Sequence, residues 1–136
     1  MEKQTEKQMD IKTFKSNRYF TVKDYDVSHG QLLIRSTKND ENKMNIDIIF
    51  FDVKYMQIIT SFKGIAVKSG SIPNKTFNYP SVDSALNFKS NHLFEITTDD
   101  EHYYIVAAFY KVFENELDFS ETSLGVLEHR GREIEL

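Results

Sequence analysis

The longest apolar pattern in the chain lies between residues 91 and 117 and predicts a β-hairpin with an acidic tip. In the segment 103–113 apolar side chains occupy both alternating parities, which indicates a strand covered on both faces. A buried helix would produce the same run of letters, but the β-branched and aromatic content favours a strand. The polar residues 99–102, Asp-Asp-Glu-His, are typical of a hairpin connection because Asp bonds nearby backbone N–H groups.

Shorter alternating segments before the hairpin predict further strands. They are 18–28, 31–37, 44–53, 55–60 and 62–68. The alternation changes parity around Lys23 and Asp24, and again after Phe50, so a β-bulge or a corner is expected at each place. Gly30 is expected to take a positive φ in the first turn, and Gly64 to mark a bend between strands. The segment 118–127 is expected to form a last strand or a short helix.

Regular strand spacing predicts a mainly β fold, either an antiparallel sandwich or a partly closed barrel of about seven or eight short strands. A two-layer α+β fold is the alternative if residues 81–88 and the N-terminus are helical. The 136 residues are expected to form one β domain at 11–127. A polar tail at 1–10 and a charged tail at 128–136 are expected on either side of it.

The amino-acid composition argues against several classes of function. The formal net charge of -4 argues against non-specific affinity for nucleic acid or for an anionic membrane surface. The chain has no cysteine, which excludes disulfides, thiolate nucleophiles and cysteine-based zinc sites. The first twenty residues lack the apolar region of a signal peptide, and no apolar run is long enough to span a membrane, so a cytoplasmic protein is expected.

Asp24, Asp26 and His29 form the best chemical constellation in the sequence. On a regular strand, residues two apart lie on one side with Cα atoms roughly 6.5 Å apart, so the two carboxylates could share a metal ion or divide acid and base roles. The bulge expected at Asp24 works against this geometry. A metal-dependent enzyme at these three residues is therefore our last-ranked hypothesis; we assign no catalytic residue and predict no cofactor.

The tyrosines of the hairpin carry the first-ranked hypothesis. Tyr103 and Tyr104 are adjacent and must face opposite sides of the strand, so one of them could be exposed. The alternative, which we favour, is that the tyrosines cap the core with the hydroxyl in water. Exposed aromatic side chains concentrate at protein interfaces. Together with Tyr110 and Tyr55 they predict a non-enzymatic interaction module, in which the hairpin binds a protein partner or a second copy of the chain.

The segment 69–84 supports a second hypothesis, a small-ligand-binding β domain. It holds both prolines and is long for a structureless connection, so it is expected to roof a pocket with Phe77 and Tyr79. A set of basic and aromatic strand residues invites a nucleic-acid interpretation: Lys54, Tyr55, Phe62, Lys63 and Lys68. Solvated lysines that discourage edge pairing explain this set better, and with the net charge they lead us to predict no nucleic-acid partner.

Overall fold

One antiparallel β-sheet of nine strands dominates the computed structural model, which describes residues 13–69, 86 and 91–136. The strands are β1 (Phe14–Asp26), β2 (Gln31–Ser36), β3 (Asn45–Phe51), β4 (Tyr55–Gln57), β5 (Ser61–Ser69), β6 (His92–Thr97), β7 (His102–Ala107), β8 (Phe109–Asn115) and β9 (Arg132–Ile134). Their order in the sheet is β4-β7-β6-β5-β1-β2-β3-β8-β9, and the sheet is not closed into a barrel. The predicted mainly β, antiparallel fold is confirmed. The predicted tail at 1–10 and the loop residues Phe77 and Tyr79 lie outside the described residues.

The predicted hairpin is confirmed, with β6 and β7 joined by a turn at residues 98–101. Thr98 closes this turn, because its backbone N–H donates to the carbonyl of Glu101 at 2.9 Å. Its hydroxyl oxygen accepts bonds from the N–H groups of Asp100 and Glu101 at 3.2 and 3.0 Å. The predicted strand 103–113 is, however, two strands, because the ladder is interrupted at Ala108.

That interruption belongs to a corner of the sheet. Two segments of the chain form this corner, one after β3 and one between β7 and β8. Phe51 ends β3 and Ala108 separates β7 from β8, and the two positions are joined by the bond from Ala108 N to Phe51 O at 2.9 Å. Lys54 N then donates to Val106 O at 2.8 Å, where β4 begins to pair with β7. Asp52 takes a positive φ of 58°, a conformation that Asp tolerates better than most residues. The corner predicted after Phe50 is thus confirmed.

The corner bends the sheet over a single main core. In a flat sheet β6 and β3, four strands apart, would be separated by roughly 19 Å. The ring of Phe94 on β6 instead lies 5.6 Å from that of Phe50 on β3 and 5.5 Å from that of Tyr110 on β8, both edge to face. The sheet therefore curves until its inner face meets itself, and these aromatic contacts fill the centre.

Two irregularities divide β1, the middle strand of the sheet. The register with β2 shifts between Val22 and Asp24, which confirms the predicted bulge. The register with β5 shifts between Ser16 and Tyr19. Opposite this second bulge Gly64 lies inside β5 with a φ of 75°, and a side chain there would collide with the carboxylate of Asp99. Gly64 therefore marks an irregularity within a strand rather than the expected bend between strands.

The outer face of the sheet carries two smaller apolar clusters. On β6 and β7, Leu93, Tyr104 and Val106 pack with the partly buried Tyr55 and Leu86. The second cluster consists of one residue each from β2, β3 and β8 and one from the C-terminal segment: Leu33, Ile49, Phe113 and Leu124. The expected charged tail at 128–136 contains most of a 3-10 helix, Leu127–Arg130, and the strand β9, which pairs with β8 at the edge of the sheet.

A buried ion pair lies beside the second cluster. Arg35 on β2 and Asp47 on β3 are almost completely buried, and Nε and Nη2 of the guanidinium donate to the two carboxylate oxygens at 2.7 and 2.9 Å. Asp47 Oδ2 also accepts bonds from Asn115 at 2.9 Å and Ser123 at 2.7 Å. Arg35 Nη1 donates to the carbonyl of Glu121 at 2.7 Å. The pair is thus fully hydrogen-bonded and joins three strands to the C-terminal segment.

Asp47→Ala should destabilise the fold by about 3–5 kcal/mol, because it leaves the Arg35 charge buried without a counter-charge. Urea unfolding followed by circular dichroism measures the change. The double variant Arg35→Met, Asp47→Leu is the control, and it should recover most of the loss because no charge remains buried. A loss below about 1 kcal/mol in the single variant would contradict a buried, unhydrated pair.

Candidate functional site

The tyrosines of the hairpin are buried. Tyr103, Tyr104 and Tyr110 are each at most 8% exposed, and Tyr55 is half-buried. Neither Tyr103 nor Tyr104 is exposed, because β7 is covered on both faces, by the main core and by the cluster around Leu93. Burial raises the pKa of Tyr110 to about 12. A partner-binding role for these four residues stays a prediction.

Asp24, Asp26 and His29 are not brought together as one site, because only Asp26 and His29 are in contact. The bulge directs Asp24 to the C-terminal segment, where its carboxylate accepts a bond from the hydroxyl of Thr122 at 2.8 Å. Asp26 instead bonds His29 Nδ1 at 2.9 Å across the β1–β2 turn, and this bond lowers the pKa of Asp26. Within the described ranges no group of three or more His, Asp or Glu side chains is placed to hold a metal ion. The metal hypothesis therefore has no support from geometry.

A polar groove of about 520 Å³ lies on the outer face of β1, between β5 and the loop that follows β2. We call it the Arg18 groove. Its lining includes Arg18, Tyr19 and Thr21 from β1, Arg35 from β2, Glu41 from the loop and Lys63 from β5. The register explains the grouping, since Tyr19 lies across from Lys63 and Thr21 across from Arg35. Cross-strand partners on one face are neighbours, so the four side chains share this surface.

Arg18 is held firmly on one side of the groove. It lies in the bulge between Ser16 and Tyr19, and its Nε donates to the hydroxyl of Ser36 at 2.9 Å. Its Nη2 donates to the carbonyls of Ser36 at 3.2 Å and Met44 at 3.0 Å. Partial burial lowers the pKa of Arg18, but a guanidinium stays protonated at physiological pH. Among the described residues nothing accepts a hydrogen bond from Nη1, and no carboxylate lies within ion-pair distance of Arg18.

The other charges of the groove differ in how far they are neutralised. Arg35 is paired with Asp47, and Lys38 Nζ reaches the carbonyl of Glu116 at 2.5 Å and the carboxylate of Asp118 at 3.7 Å. The side chain of Lys63 is exposed and has neither a hydrogen bond nor an ion pair in the part of the chain that the structure describes. Arg18 and Lys63 therefore leave a local excess of positive charge, which is offset in part by the exposed carboxylate of Glu41 and by the charge of Glu114, whose attraction acts on Arg18 from beyond ion-pair distance.

A second depression, of about 480 Å³, lies near the C-terminus and is mainly acidic. Its charged lining residues are Glu114, Glu116, Glu121, Glu128, His129 and Arg132. Arg132 forms an ion pair with Glu114, and Glu121 Oε1 accepts a bond from the backbone N–H of Asp118 at 2.8 Å. Two of its carboxylates are thus used within the fold, which makes this depression a weaker candidate than the Arg18 groove.

Sequence reasoning missed the Arg18 groove. Lys63 stood out only as one of several basic strand residues, and Arg18 and Tyr19 belonged to a predicted strand with no chemical motif. The bulge that places Arg18 depends on the pairing of β1 with β5, whose paired residues are at least 40 positions apart in the sequence. The signal available in the sequence was the adjacent pair Arg18-Tyr19 at the start of a predicted strand. Such a pair is not specific to a binding site.

No protein family, no curated protein and no solved structure matches this chain. The part of the chain that the structure describes contains no helix that is both long and apolar enough to cross a membrane. The function of the groove is therefore argued from its geometry and charges.

His29→Ala should raise the pKa of Asp26 towards its ordinary value of 3.8, because the hydrogen bond from His29 is the main cause that lowers it. A lowered carboxyl pKa means that this bond stabilises the fold above the ordinary pKa and ceases to do so as the pH falls through the lowered value. NMR titration of the side-chain carboxyl carbon measures it.

His102→Ala is the control for this titration, because His102 is paired with Glu95 at 3.0 Å in another hairpin and should not affect Asp26. An Asp26 pKa that is the same in His29→Ala and in the parent chain would show that the two side chains do not interact in solution.

Proposed function

We propose that this chain is a non-enzymatic binding domain that holds a small polar ligand in the Arg18 groove. The observation that carries the proposal is the presence of two cations, Arg18 and Lys63, without a carboxylate partner among the described residues. The cavity volume of about 520 Å³ lies within the roughly 300–1,000 Å³ that is usual for ligand sites. Its rigid strand floor also suits a preformed binding site.

The composition of the lining supports binding rather than catalysis. General acid–base chemistry is carried out most often by histidine or by paired carboxylates. The described lining contains no histidine and one carboxylate that is not already paired, that of Glu41, while the hydroxyl of Ser36 is bonded to Arg18. A cytoplasmic location is part of the same proposal, and the absence of cysteine is compatible with it.

Thr21→Phe should abolish ligand binding in the groove. Thr21 lies on the floor, half-buried, and the larger ring would occupy the space above β1, while an aromatic residue is well tolerated in a strand. Saturation-transfer NMR with a library of small polar metabolites detects binding to the parent chain. We expect the compounds that bind the parent chain to lose their signal with Thr21→Phe.

Thr60→Phe is the matched control, because it makes the same change at an exposed position outside the groove. The same library compounds should bind Thr60→Phe and the parent chain. If the library yields no binder for the parent chain, or if Thr21→Phe keeps the same binders, the groove is not a ligand site and the proposed function is wrong.

A second candidate function is self-association through the segment 91–117, and the exposed ring of Phe109 on β8 favours it. Phe109 begins β8, is 43% exposed, and stacks on Phe51 with ring centroids 4.6 Å apart. The guanidinium of Arg130 lies over the other member of the stack, 5.2 Å from the ring centroid of Phe51. Aromatic and Arg side chains are enriched in interfaces, and a second copy of the chain would provide a matching aromatic stack.

Phe109→Ser should then weaken dimerisation about tenfold or more, as expected when an aromatic anchor is removed from an interface. Native mass spectrometry and sedimentation over a range of concentrations measure the monomer–dimer equilibrium. Val27→Ser, at an 80% exposed position in the β1–β2 turn, is the control and should leave it unchanged. A parent chain that stays monomeric throughout would eliminate this candidate.

A further inference from the structure

We propose that the ligand of the Arg18 groove is a small organic anion, whose carboxylate or phosphate group is bound by Arg18 and Lys63 while its body lies against Tyr19. This inference rests on the proposed function, because it names the chemistry of the ligand for the same groove. It is carried by the way in which each of the three side chains is held.

Arg18 provides a preorganised donor. Its Nε and Nη2 are fixed by bonds to Ser36 and Met44, as described above, so the plane of the guanidinium is set before any ligand arrives. The remaining N–H groups, on Nη1, have no acceptor among the described residues. A side chain that is already ordered loses little conformational entropy on binding, and an Arg donor matches carboxylate and phosphate oxygens.

Lys63 provides a second positive charge that can adjust its position. Its ammonium group has no partner in the described ranges, and four methylene groups allow it to follow the ligand. The neighbouring Lys38 differs in this respect, since it is bonded to the carbonyl of Glu116. The groove therefore offers one fixed and one mobile cation, which together favour an anionic group over a neutral one.

Tyr19 provides a surface beside these charges. Its side chain is 57% exposed although it lies in the middle strand of the sheet, directly across from Lys63. An exposed aromatic ring can pack against the apolar or planar body of a ligand. The preferred ligand is therefore an acid with a planar or apolar body rather than a bare inorganic ion.

The charge of the whole chain limits the size of the ligand. The formal net charge is -4, so the positive groove lies on a protein that is acidic overall. A long polyanion would be repelled by a chain of net negative charge, whereas a small anion contacts mainly the two cations of the groove. We therefore infer a small organic acid or organic phosphate and not a nucleic acid.

The test compares three probes of similar shape by amide NMR titration: benzoate, phenyl phosphate and the neutral benzamide. We expect both anions to shift the amide signals of Tyr19, Thr21 and Lys63, and to bind about ten times more tightly than benzamide. The tighter of the two anions identifies the preferred group, carboxylate or phosphate. Added salt should weaken both anions, because their attraction to the groove is electrostatic.

Lys63→Gln should weaken both anions about tenfold and leave benzamide unchanged, since it removes one of the two charges and a donor. Lys68→Gln is the matched control: the position is exposed, lies on the same strand, β5, and loses the same charge outside the groove. Neither position has a buried side chain, so both variants should fold. The control should bind all three probes as the parent chain does.

The possible failures are distinguishable. If benzamide binds in the groove as tightly as benzoate, the anion proposal is overturned although the groove remains a ligand site. If Lys68→Gln weakens the anions as much as Lys63→Gln, the attraction is a general effect of net charge and the assigned contact is wrong. If none of the probes shifts the groove signals and the metabolite library also gives no binder, both proposals fail.

Discussion

The buried ion pair between Arg35 and Asp47 is the contact on which the outer layer of the protein depends. Two charges out of contact with water are tolerated only if every donor and acceptor is satisfied. Here the remaining partners come from β8 and from the C-terminal segment, through Asn115, Ser123 and the carbonyl of Glu121. The segment must therefore lie across β2, β3 and β8 for the pair to be stable. The same requirement brings Leu124 over the apolar cluster, and among the described residues the segment does not cover the part of β1 and β5 around the exposed Tyr19 and Lys63.

The uncovered part of the outer face is where the Arg18 groove forms. Its floor belongs to β1, the central strand, and the bulge opposite Gly64 turns Arg18 towards the loop that follows β2. Asn45 steadies that loop, because its side-chain oxygen accepts a bond from Lys38 N at 2.8 Å and its amide donates to Asn115. The groove is thus built on rigid strands and on a loop connected to the buried polar network. Such preorganisation reduces the cost of binding and makes the arrangement more suitable for recognition than for chemistry.

Local pattern was a reliable guide wherever neighbours in sequence are neighbours in the fold. The hairpin turn at 98–101, the bulge at Lys23 and the corner after Phe50 follow from parity and from turn residues, and all are confirmed. The interruption at Ala108 was missed, because both halves of the segment are apolar on both faces and the pattern continues unbroken across it. The sequence left open whether Tyr103 or Tyr104 is exposed, for a related reason. Parity places the two side chains on opposite faces but does not say what covers each face.

By itself, the sequence determined the strand periodicity, the hairpin, the lack of cysteine chemistry and the acidic net charge, since each depends on composition or on residues a few positions apart. Only the tertiary structure decided which faces are covered, that Arg35 neutralises Asp47, and that Arg18, Tyr19 and Lys63 share one groove. Those relations join strands that are distant in sequence, and their register is set by packing of the curved sheet around Phe50, Phe94 and Tyr110. A shift of one residue in any of these pairings would turn the same side chains to the opposite face.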